Sequence, residues 1–396
     1  MLKGLEISEI SNNSLERTLR LDAEFYSKFN LGQQKLFNDI GAQSLSNFAT
    51  ISDGNHMSIS ENFVDNGVPY YRGGDIYNVF IETTTSPLRI PKSVFDMPTM
   101  LRSHLQKGDV LMSIVGAIIG NVSLVTTDNL ATCSCKLAII RPDKNKLLPE
   151  YVGMYLMSKY GQQQIQKFRR GSGQTGLILE DFDQLLIPNI DHFVQKGISE
   201  IVNCSHESLI KGRQLYDSAE IFLLECLGMK DFKQCSESVS VKRFSDFALS
   251  GRLDAEYYHV KYDKLEEKIK SVSYKTIADL QTFNARGVQP EYIPDGNISV
   301  VNSKHILEEG LDYDNFERTT KSFLLSHKRA QIRYGDILIY TTGANIGRTQ
   351  AYLKNDYALA SNHVNILRVK DVNPIYLALV LSPHCSECPN TLLKKC

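Results

Sequence analysis

The longest uninterrupted helical pattern in this chain reads FVQKGISEIVNCSHESLIKGRQLYDSAEIFLLECLG, over Phe193–Gly228. The stretch contains no proline, Asp191 is a suitable N-cap, and Gly228 stands where a C′ glycine would end a helix. About 35 helical residues at ~1.5 Å each would span roughly 50 Å. The pattern therefore predicts a single long helix, and the alternative is a pair of shorter helices broken near Gly212.

A seam of apolar and small side chains runs along this predicted helix in steps of three or four. Its positions are Val194, Ile198, Ile201, Ser205, Leu209, Gly212, Tyr216, Ala219, Leu223 and Cys226. Most of the remaining circumference is polar, which favours a rod whose seam packs on another helix. We predict a partner-binding role for Ile198, Ile201, Leu209, Tyr216 and Leu223.

The composition is that of an ordinary globular chain, with 396 residues, 42% hydrophobic and 22% charged. This length is sufficient for two or three domains. No apolar run approaches the roughly 18 residues of a membrane span, and MLKGLEISEI at the N-terminus lacks an apolar signal core. Eight cysteines without regular spacing suit a reducing compartment. We therefore expect a cytoplasmic protein without membrane association.

Three sequence blocks occur twice, in the same order. They are RLDAEFY and RLDAEYY at Arg20–Tyr26 and Arg252–Tyr258, KGDVLMSIVGAIIGNVSLV and YGDILIYTTGANIGRTQAY at Lys107–Val125 and Tyr334–Tyr352, and LPEYVGMYLMS and NPIYLALVLS at Leu148–Ser158 and Asn373–Ser382. Such duplication indicates two homologous domains joined by the long helix. The predicted boundaries are 1–190 and 231–382 for the domains, 191–230 for the helix and 383–396 for an atypical tail.

Each copy is expected to have an α+β fold with a small, twisted and mostly antiparallel sheet. A helix near Ala23–Ile40 or Ala255–Lys270 comes first, then strands separated by turn residues. A G-x-x-x-G turn comes after the central strand, at 116–120 and 343–347. A helix opened by Pro149 or Pro374 comes after the last strand.

The two copies differ beyond this helix. Copy one continues with FRRGSGQTGLILEDFDQLLIPNI, over Phe168–Ile190, and then the long helix. Copy two continues after Ser382 with PHCSECPNTLLKKC, which resembles nothing in copy one. An out-of-frame ending would produce such a tail. A disordered segment is the alternative.

Together these motifs resemble the specificity subunit of type I restriction–modification systems. The resemblance rests on the duplicated RLDAE[FY]Y and GD[VI]L…G-x-x-x-G blocks, on SDGNH at Ser52–His56, and on RRGSGQTGL at Arg169–Leu177 leading into the long helix. It covers the chain up to about Ser382, although the family's second spacer helix is missing. That departure bears on whether the usual antiparallel pair of spacer helices forms within one chain.

The resemblance implies two target-recognition domains that each read one half of a bipartite site in double-stranded DNA. The long helix would be a spacer and the docking surface for type I methyltransferase subunits. The chain would direct adenine-N6 methylation and, with restriction subunits in the full complex, cleavage. It implies no cofactor in this chain, with S-adenosylmethionine and ATP/Mg on the partner subunits. The spacer helix could instead pair with the same helix of a second copy of this chain.

Catalytic signatures are absent from the sequence. The string nearest to an amino-methyltransferase loop, Asn373-Pro374-Ile375-Tyr376, lacks the second proline and repeats Leu148-Pro149-Glu150-Tyr151, so it is better explained as a helix start. No G-x-x-x-x-G-K-[ST] loop occurs. Cys385, Cys388 and Cys396 with His384 form a weak zinc pattern. The sequence favours a non-catalytic DNA-binding protein, and the alternatives are a protein–protein assembly scaffold and an enzyme with a C-terminal zinc site.

Candidate DNA contacts concentrate in the turn-rich segments, which are polar in both copies. Arg and Lys read guanine, Asn and Gln read adenine, and phosphates accept hydrogen bonds from Lys, Arg, Ser, Thr and backbone N–H groups. Because the net charge is −1, positive charge must come from local patches or partners. The candidates are Asn55, His56, Arg72, Lys136, Arg169, Arg170, Ser172 and Gln174 in copy one and Asn284, Arg286, Asn302, Lys304, His305, Thr341, Thr342, Asn345, Arg348, Asn362 and His363 in copy two.

Overall fold

The computed structural model describes residues 6–16, 19–84, 86–171, 175–230, 239–343 and 345–382. The chain divides into Met1–Leu209 and Ile210–Cys396, which we call unit 1 and unit 2. The division falls inside the long helix, so that helix belongs to both units. The predicted domain boundaries at 190, 230 and 382 stay a prediction. The predicted tail and its zinc pattern lie outside the described residues.

Unit 1 combines short helices with short strands. Its helices before the long one are α1 (Lys28–Asp39), α2 (Lys92–Phe95), α3 (Pro149–Met157) and α4 (Lys159–Phe168). Its strands are β1 (Gln43–Ser44), β2 (Ala49–Asp53), β3 (Val68–Tyr71), β4 (Leu88–Ile90), β5 (Val110–Ser113), β6 (Val122–Leu124), β7 (Thr132–Cys133), β8 (Leu137–Pro142) and β9 (Leu186–Ile187). The predicted first helix is shorter than Ala23–Ile40 because Ser27 caps it, its hydroxyl accepting from the N–H of Asn30.

The main sheet of unit 1 has the antiparallel order β2-β8-β5-β6. Alternate residues of its central strands face two different cores. Val110 and Met112 pack with α3 and α4, whereas Leu111 and Ile139 pack in the second core. This alternation results from the two-residue period of a strand and explains why both central strands are almost wholly apolar. A second sheet, β4-β3-β7, pairs β3 with β7 in parallel.

The elements of unit 2 after the long helix repeat this arrangement. Its strands are β10 (Gln281–Arg286), β11 (Ile298–Val301), β12 (Glu317–Thr319), β13 (Gln331–Ile332), β14 (Ile337–Tyr340), β15 (Thr349–Ala351), β16 (Ala358–Ala360) and β17 (Val364–Val369). Its helices are α6 (Phe244–Ser250), α7 (Val260–Lys270), α8 (Ile277–Leu280), α9 (Lys321–Ser326) and α10 (Pro374–Leu381), numbered after the long helix α5 (His192–Cys226).

The main sheet of unit 2 has the order β10-β17-β14-β15, which matches β2-β8-β5-β6 strand for strand. Its second sheet, β12-β11-β16-β13, contains a parallel pair, β11 with β16, that corresponds to β3 with β7. The predicted α+β class, the two similar domains and the long helix are confirmed.

The long helix α5 is continuous through Gly212. The Asp191 carboxylate accepts from the N–H of Phe193 at 2.7 Å, as predicted for its N-cap. At the other end Gly228 has φ +61°. The N–H of Gly228 donates to Glu225 at 3.0 Å and that of Met229 to Leu224 at 2.7 Å. These two bonds form a Schellman motif, which needs the left-handed backbone that glycine adopts readily.

Two positions of the predicted seam of α5 are used within the units, and its partner-binding role stays a prediction. Ile198 and Val202, one turn apart, pack on the core of unit 1, and Leu223 is buried in unit 2 with 8% exposure. Ile201, about 100° around the helix from Val202, is 73% exposed, and Leu209 is 47% exposed. Leu209 lies only about 20° around the helix from Ile198, and Ile201 about 40° from Leu223. These positions therefore share one face, which is buried near both ends of the helix and exposed at Ile201 and Leu209.

The duplicated RLDAE motif folds the same way in both units. The guanidinium of Arg20 donates to both carboxylate oxygens of Asp22 at 2.8 and 2.7 Å, and Arg252 donates to Asp254 at 2.8 and 2.6 Å. Each guanidinium also lies over a ring, that of Phe25 at 4.6 Å or that of Tyr257 at 4.4 Å.

A buried ion pair recurs at the start of the third strand of each main sheet. Asp109 accepts two hydrogen bonds from Arg141 at 2.7 and 2.8 Å, and Asp336 accepts two from Arg368, both at 2.7 Å. Each carboxylate also accepts a backbone N–H of its own turn. These bidentate pairs satisfy both buried carboxylates of the repeated Gly-Asp turn, and the bond to Asp109 raises the pKa of Arg141.

Candidate nucleic-acid interface

Three polar turns meet a loop at one edge of the main sheet of unit 1, and we call this edge rim 1. The N–H of Cys135 donates to the carbonyl of Asn55 at 2.9 Å, and the N–H of Ile114 donates to the carbonyl of Lys136 at 3.0 Å. The N–H of Gly116 donates to Thr175 at 3.0 Å. These bonds bring together the 52–56 turn, the turn of Lys136, the 116–120 turn and the loop at 169–177.

The two glycine-containing loops of rim 1 lie side by side. Gly116 and Gly120 have φ of +92° and +91°, which require glycine. In the neighbouring loop, Arg170 and Gly176 exchange two backbone hydrogen bonds of 3.0 and 2.9 Å. Backbone without side chains is thus presented next to Arg169 and Arg170, an arrangement that lets another surface approach closely. Ser172 and Gln174 lie outside the described residues.

Carboxylates neutralise much of the positive charge of rim 1. The Nε2 atom of His56 lies 2.6 Å from Oδ2 of Asp53, and Arg102 pairs with the same carboxylate. Arg170 pairs with Asp181. The Arg72 guanidinium, which is exposed, lies 3.9 Å from Asp75.

Two basic side chains of rim 1 have no carboxylate partner within the described part of the chain. Lys136 is exposed in its turn. Arg169 donates to the side chains of Gln166 and Thr175 at 2.7 and 3.3 Å. Lys136 and Arg169 are therefore the side chains of rim 1 whose full charge can face an anion.

Asn55 has a structural role in this rim. Its side chain is buried, donates to the carbonyl of Met57 at 2.8 Å and accepts from the N–H of Met57 at 2.9 Å. The preceding Gly54 is forced by close backbone approach, since a Cβ there would lie 2.4 Å from the carbonyl oxygen of Cys133. The amide of Asn55 holds this turn and is turned away from solvent, so it is not part of the exposed face.

The corresponding edge of unit 2, rim 2, gathers the candidates from the ends of β10, β14 and β17. Arg286 donates to the hydroxyl of Thr342 at 2.6 Å. The hydroxyl of Thr341 donates to the carbonyl of His363 at 3.1 Å. Arg286, Thr342 and His363 are exposed, and no carboxylate among the described residues pairs with Arg286. The side-chain amide N–H of Asn365 donates to the side-chain oxygen of Asn284, on β10, at 2.8 Å.

A second group of unit 2 candidates surrounds Glu317. Its carboxylate accepts from Asn302 at 2.7 Å, pairs with Lys304, and lies 3.1 Å from Nε2 of His305. Burial alone would raise the pKa of Glu317, but the hydrogen bonds from Lys304 and Asn302 outweigh it, so that pKa is lowered. This cluster is neutralised internally and offers an acceptor as well as donors.

His305 is a capping residue and does not lie on an exposed face. It is buried, and its Nδ1 accepts from the N–H of Asn302 at 3.0 Å. In unit 1 the Asp75 carboxylate accepts from the N–H of Arg72 at 2.7 Å at the matching turn. Burial lowers the pKa of His305. An imidazole thus replaces a carboxylate at the same structural position.

The remaining candidates of unit 2 lie in the turns after β14 and before β17. The guanidinium of Arg348 donates to Glu308 at 2.8 Å, and Asn345 is exposed. Asn362 is half-buried in the turn before β17.

Sequence reasoning missed the acids that set the charge of both rims. Four carboxylates each pair with a predicted DNA-contact side chain: Asp53 with His56, Asp181 with Arg170, Glu308 with Arg348 and Glu317 with Lys304. Glu308 lies 40 positions from Arg348 in the sequence, so no local pattern connects them. Asp53 could have been found, since it stands beside the Gly54-Asn55-His56 turn.

Within the described residues, no three His, Cys, Asp or Glu side chains come together in a way that could hold a metal ion. None of the helices there combines the length and apolar character needed to cross a membrane.

Comparison with known proteins gives matches among solved structures alone. No protein-family profile matches the sequence, and no curated protein matches it. The chain is similar to the type I restriction–modification S subunit from M. genitalium, with 13% identity and a TM-score of 0.44, covering 86% of this chain and 76% of that one. It is also similar to the HsdS subunit from Thermoanaerobacter tengcongensis, with 16% identity and a TM-score of 0.31, covering 87% and 79%.

Proposed function

We propose that this chain is the DNA-specificity subunit of a type I restriction–modification system. It binds a bipartite site in double-stranded DNA and directs adenine-N6 methylation there, and restriction in the full complex. The chain itself is non-catalytic. S-adenosylmethionine and ATP/Mg belong to the methyltransferase and restriction subunits that it assembles with, in the cytoplasm.

One observation carries this proposal. The two units share one sheet order, one buried Asp–Arg pair and one RLDAE turn, whereas the side chains at corresponding rim positions differ in chemistry. Position 53 at the end of β2 is an aspartate, and the matching end of β10 is Arg286, since Asp53 pairs with Ala138 and Arg286 with Asn365 in the same register. A common scaffold with different polar side chains at its rim is what reading two different sequences requires.

The long helix supports the split site. Its 35 residues at ~1.5 Å each correspond to the rise of about 15 base pairs at ~3.4 Å. The exposed Ile201 and Leu209 offer apolar contacts that a methyltransferase subunit can cover. Binding energy shared with partners also accounts for a net charge of −1.

The experiment is methylation mapping in cells that express this chain together with a type I methyltransferase subunit encoded beside it. A bipartite motif with N6-methyladenine in both halves is the expected result. A palindromic motif would show that one unit reads DNA within a homodimer. Absence of any methylated motif from a complex shown to assemble would overturn the proposal in favour of an assembly scaffold.

A further inference from the structure

In unit 1 the outer face of α3 is covered by the segment at residues 182–190, which leaves a 3-10 helix (Leu179–Gln184) and continues through strand β9. The hydroxyl of Tyr151 donates to the carbonyl of Pro188 at 2.6 Å, and that of Tyr155 donates to Leu186 at 2.8 Å. Strand β9 of this segment pairs with β1, and the N–H of Leu45 donates to Leu185 at 2.8 Å. Tyr151 is consequently only 6% exposed.

In unit 2 the helix α10 occupies the place of α3, and no segment of residues 239–382 covers its outer face in the way that β9 covers α3. Tyr376 stands two residues after Pro374, as Tyr151 stands two after Pro149, but Tyr376 is 47% exposed. Within residues 239–382, its hydroxyl has no hydrogen-bond partner and no strand pairs with Lys275–Thr276, which match β1. A groove of about 370 Å³ lies here, lined by Tyr274, Ile277, Tyr376, Val380, Leu227 and Met229.

We propose that this groove is the binding site for an apolar segment of another polypeptide, with the pattern of residues 182–190. The repeat supplies the template for the occupant. In unit 1 the segment inserts Phe182, Leu185 and Ile187 into the core, where all three are buried. The occupant in unit 2 adds an antiparallel strand at Lys275–Thr276, accepts a hydrogen bond from Tyr376 through a backbone carbonyl, and fills the groove with one aromatic and two aliphatic side chains.

A second copy of this chain does not fit this role. Its own segment at 182–190 is already paired with β1 and buried in its own unit 1. Releasing it would expose Phe182, Leu185 and Ile187 to water, at a cost of about 1.5–3 kcal/mol for each side chain. We therefore propose as the occupant a separate chain that carries such a segment free to pair, and not the segment of a second copy. This inference is independent of the proposed DNA function.

The test uses a fluorescent peptide, EDFDQLLIPNI, with the sequence of residues 180–190, added to the purified full chain. Saturable binding of one peptide per chain is expected, because the equivalent site of unit 1 is already filled. The Tyr376→Ala variant should bind about tenfold more weakly. The matched control is Tyr334→Ala, which removes another exposed tyrosine of unit 2 outside the groove and should leave affinity unchanged.

The strand contact is tested by a Lys275→Pro variant, which removes one backbone N–H from the edge of the groove and keeps every apolar side chain of its lining. It should also weaken peptide binding, while a peptide with Asp at the positions of Phe182 and Ile187 should not bind. Absence of binding by the unmodified peptide, or equal weakening by the Tyr334 and Tyr376 variants, would overturn the inference. Neither result would affect the methylation experiment.

Discussion

The carboxylate of Asp336 is 1% exposed, and the Arg368 guanidinium, 26% exposed, is its charged partner. Replacing Arg368 with Met leaves a buried, unpaired charge that retains only the bond from the N–H of Arg333, 2.8 Å long. We expect the free energy of unfolding to fall by about 3 kcal/mol, measured by urea denaturation followed by circular dichroism.

The double variant Asp336→Leu/Arg368→Met is the control for this pair. It removes both charges, so it should recover much of the lost stability. If the double variant were as unstable as the single one, the loss of stability would come from lost packing of the arginine stem and not from the buried charge.

Arg286 is an exposed cation of rim 2 whose described hydrogen bonds go to threonine hydroxyls alone. If it binds a DNA phosphate, Arg286→Gln should lower the slope of log affinity against log salt concentration by about 0.9. The measurement is a salt titration of binding to duplex DNA by the assembled complex. Arg348→Gln is the matched control, because Arg348 is paired with Glu308 and should change the slope less. Equal changes for both variants would contradict a distinct role for Arg286.

Lys167 makes the stability of unit 1 depend on pH. Burial, reinforced by the nearby charge of Arg20, lowers its pKa from 10.5 to about 8. Below pH 8 the lysine is charged in both folded and unfolded chains, so the cost of burying the charge is fully present. Between pH 8 and 10.5 the unfolded chain binds more protons, so stability rises with pH.

Replacing Lys167 with Met should therefore raise the melting temperature at pH 7 and flatten its rise between pH 8 and 10.5. Differential scanning fluorimetry over this range measures both effects. Lys159→Met, at an exposed position of the same helix α4, should leave the pH profile as in the unmodified chain. A variant of Lys167 with an unchanged profile would be inconsistent with this assignment.

At the scale of elements, α5 separates side chains that stabilise the units from side chains left for a partner. Ile201→Ser with Leu209→Ser changes two exposed positions, so we expect stability within about 0.5 kcal/mol of the unmodified chain. The same variant should lose assembly with the methyltransferase subunit, measured by size-exclusion chromatography with light scattering. The control, Leu223→Ser, changes a residue that is 8% exposed and should cost about 2–4 kcal/mol. Unchanged assembly of the double variant would rule out this face as the docking surface.

Elements with a local or repeated signal were predictable from the sequence. Asp191 and Gly228 mark the ends of α5 because capping depends on residues within one turn. The RLDAE turns were recognisable because the same contacts recur at two places in the chain. The capping role of His305 and the pairing of Arg348 with Glu308 were not, since they depend on how loops distant in sequence are brought together by the sheet. The groove beside α10 has no local signal either, because α5, α7, α8 and α10 all contribute to its lining.

At the scale of the whole molecule, two units with one scaffold and different rims should act as separable readers. Lys136 belongs to rim 1 and Arg286 to rim 2, and both are exposed cations without a described carboxylate partner. If each unit reads its own half-site, Lys136→Ala should alter or weaken recognition of one half of the bipartite motif. Arg286→Ala should alter or weaken recognition of the other half.

Methylation mapping of the two variants, beside the unmodified chain, measures this directly. A base contact would appear as relaxed sequence preference at one position, with discrimination reduced by about 1–3 kcal/mol. A phosphate contact would appear as weaker methylation of all sites without a change of motif. If both variants relaxed the same half of the motif, the two rims would act on one half-site. The repeated scaffold would then serve assembly in one unit and DNA reading in the other.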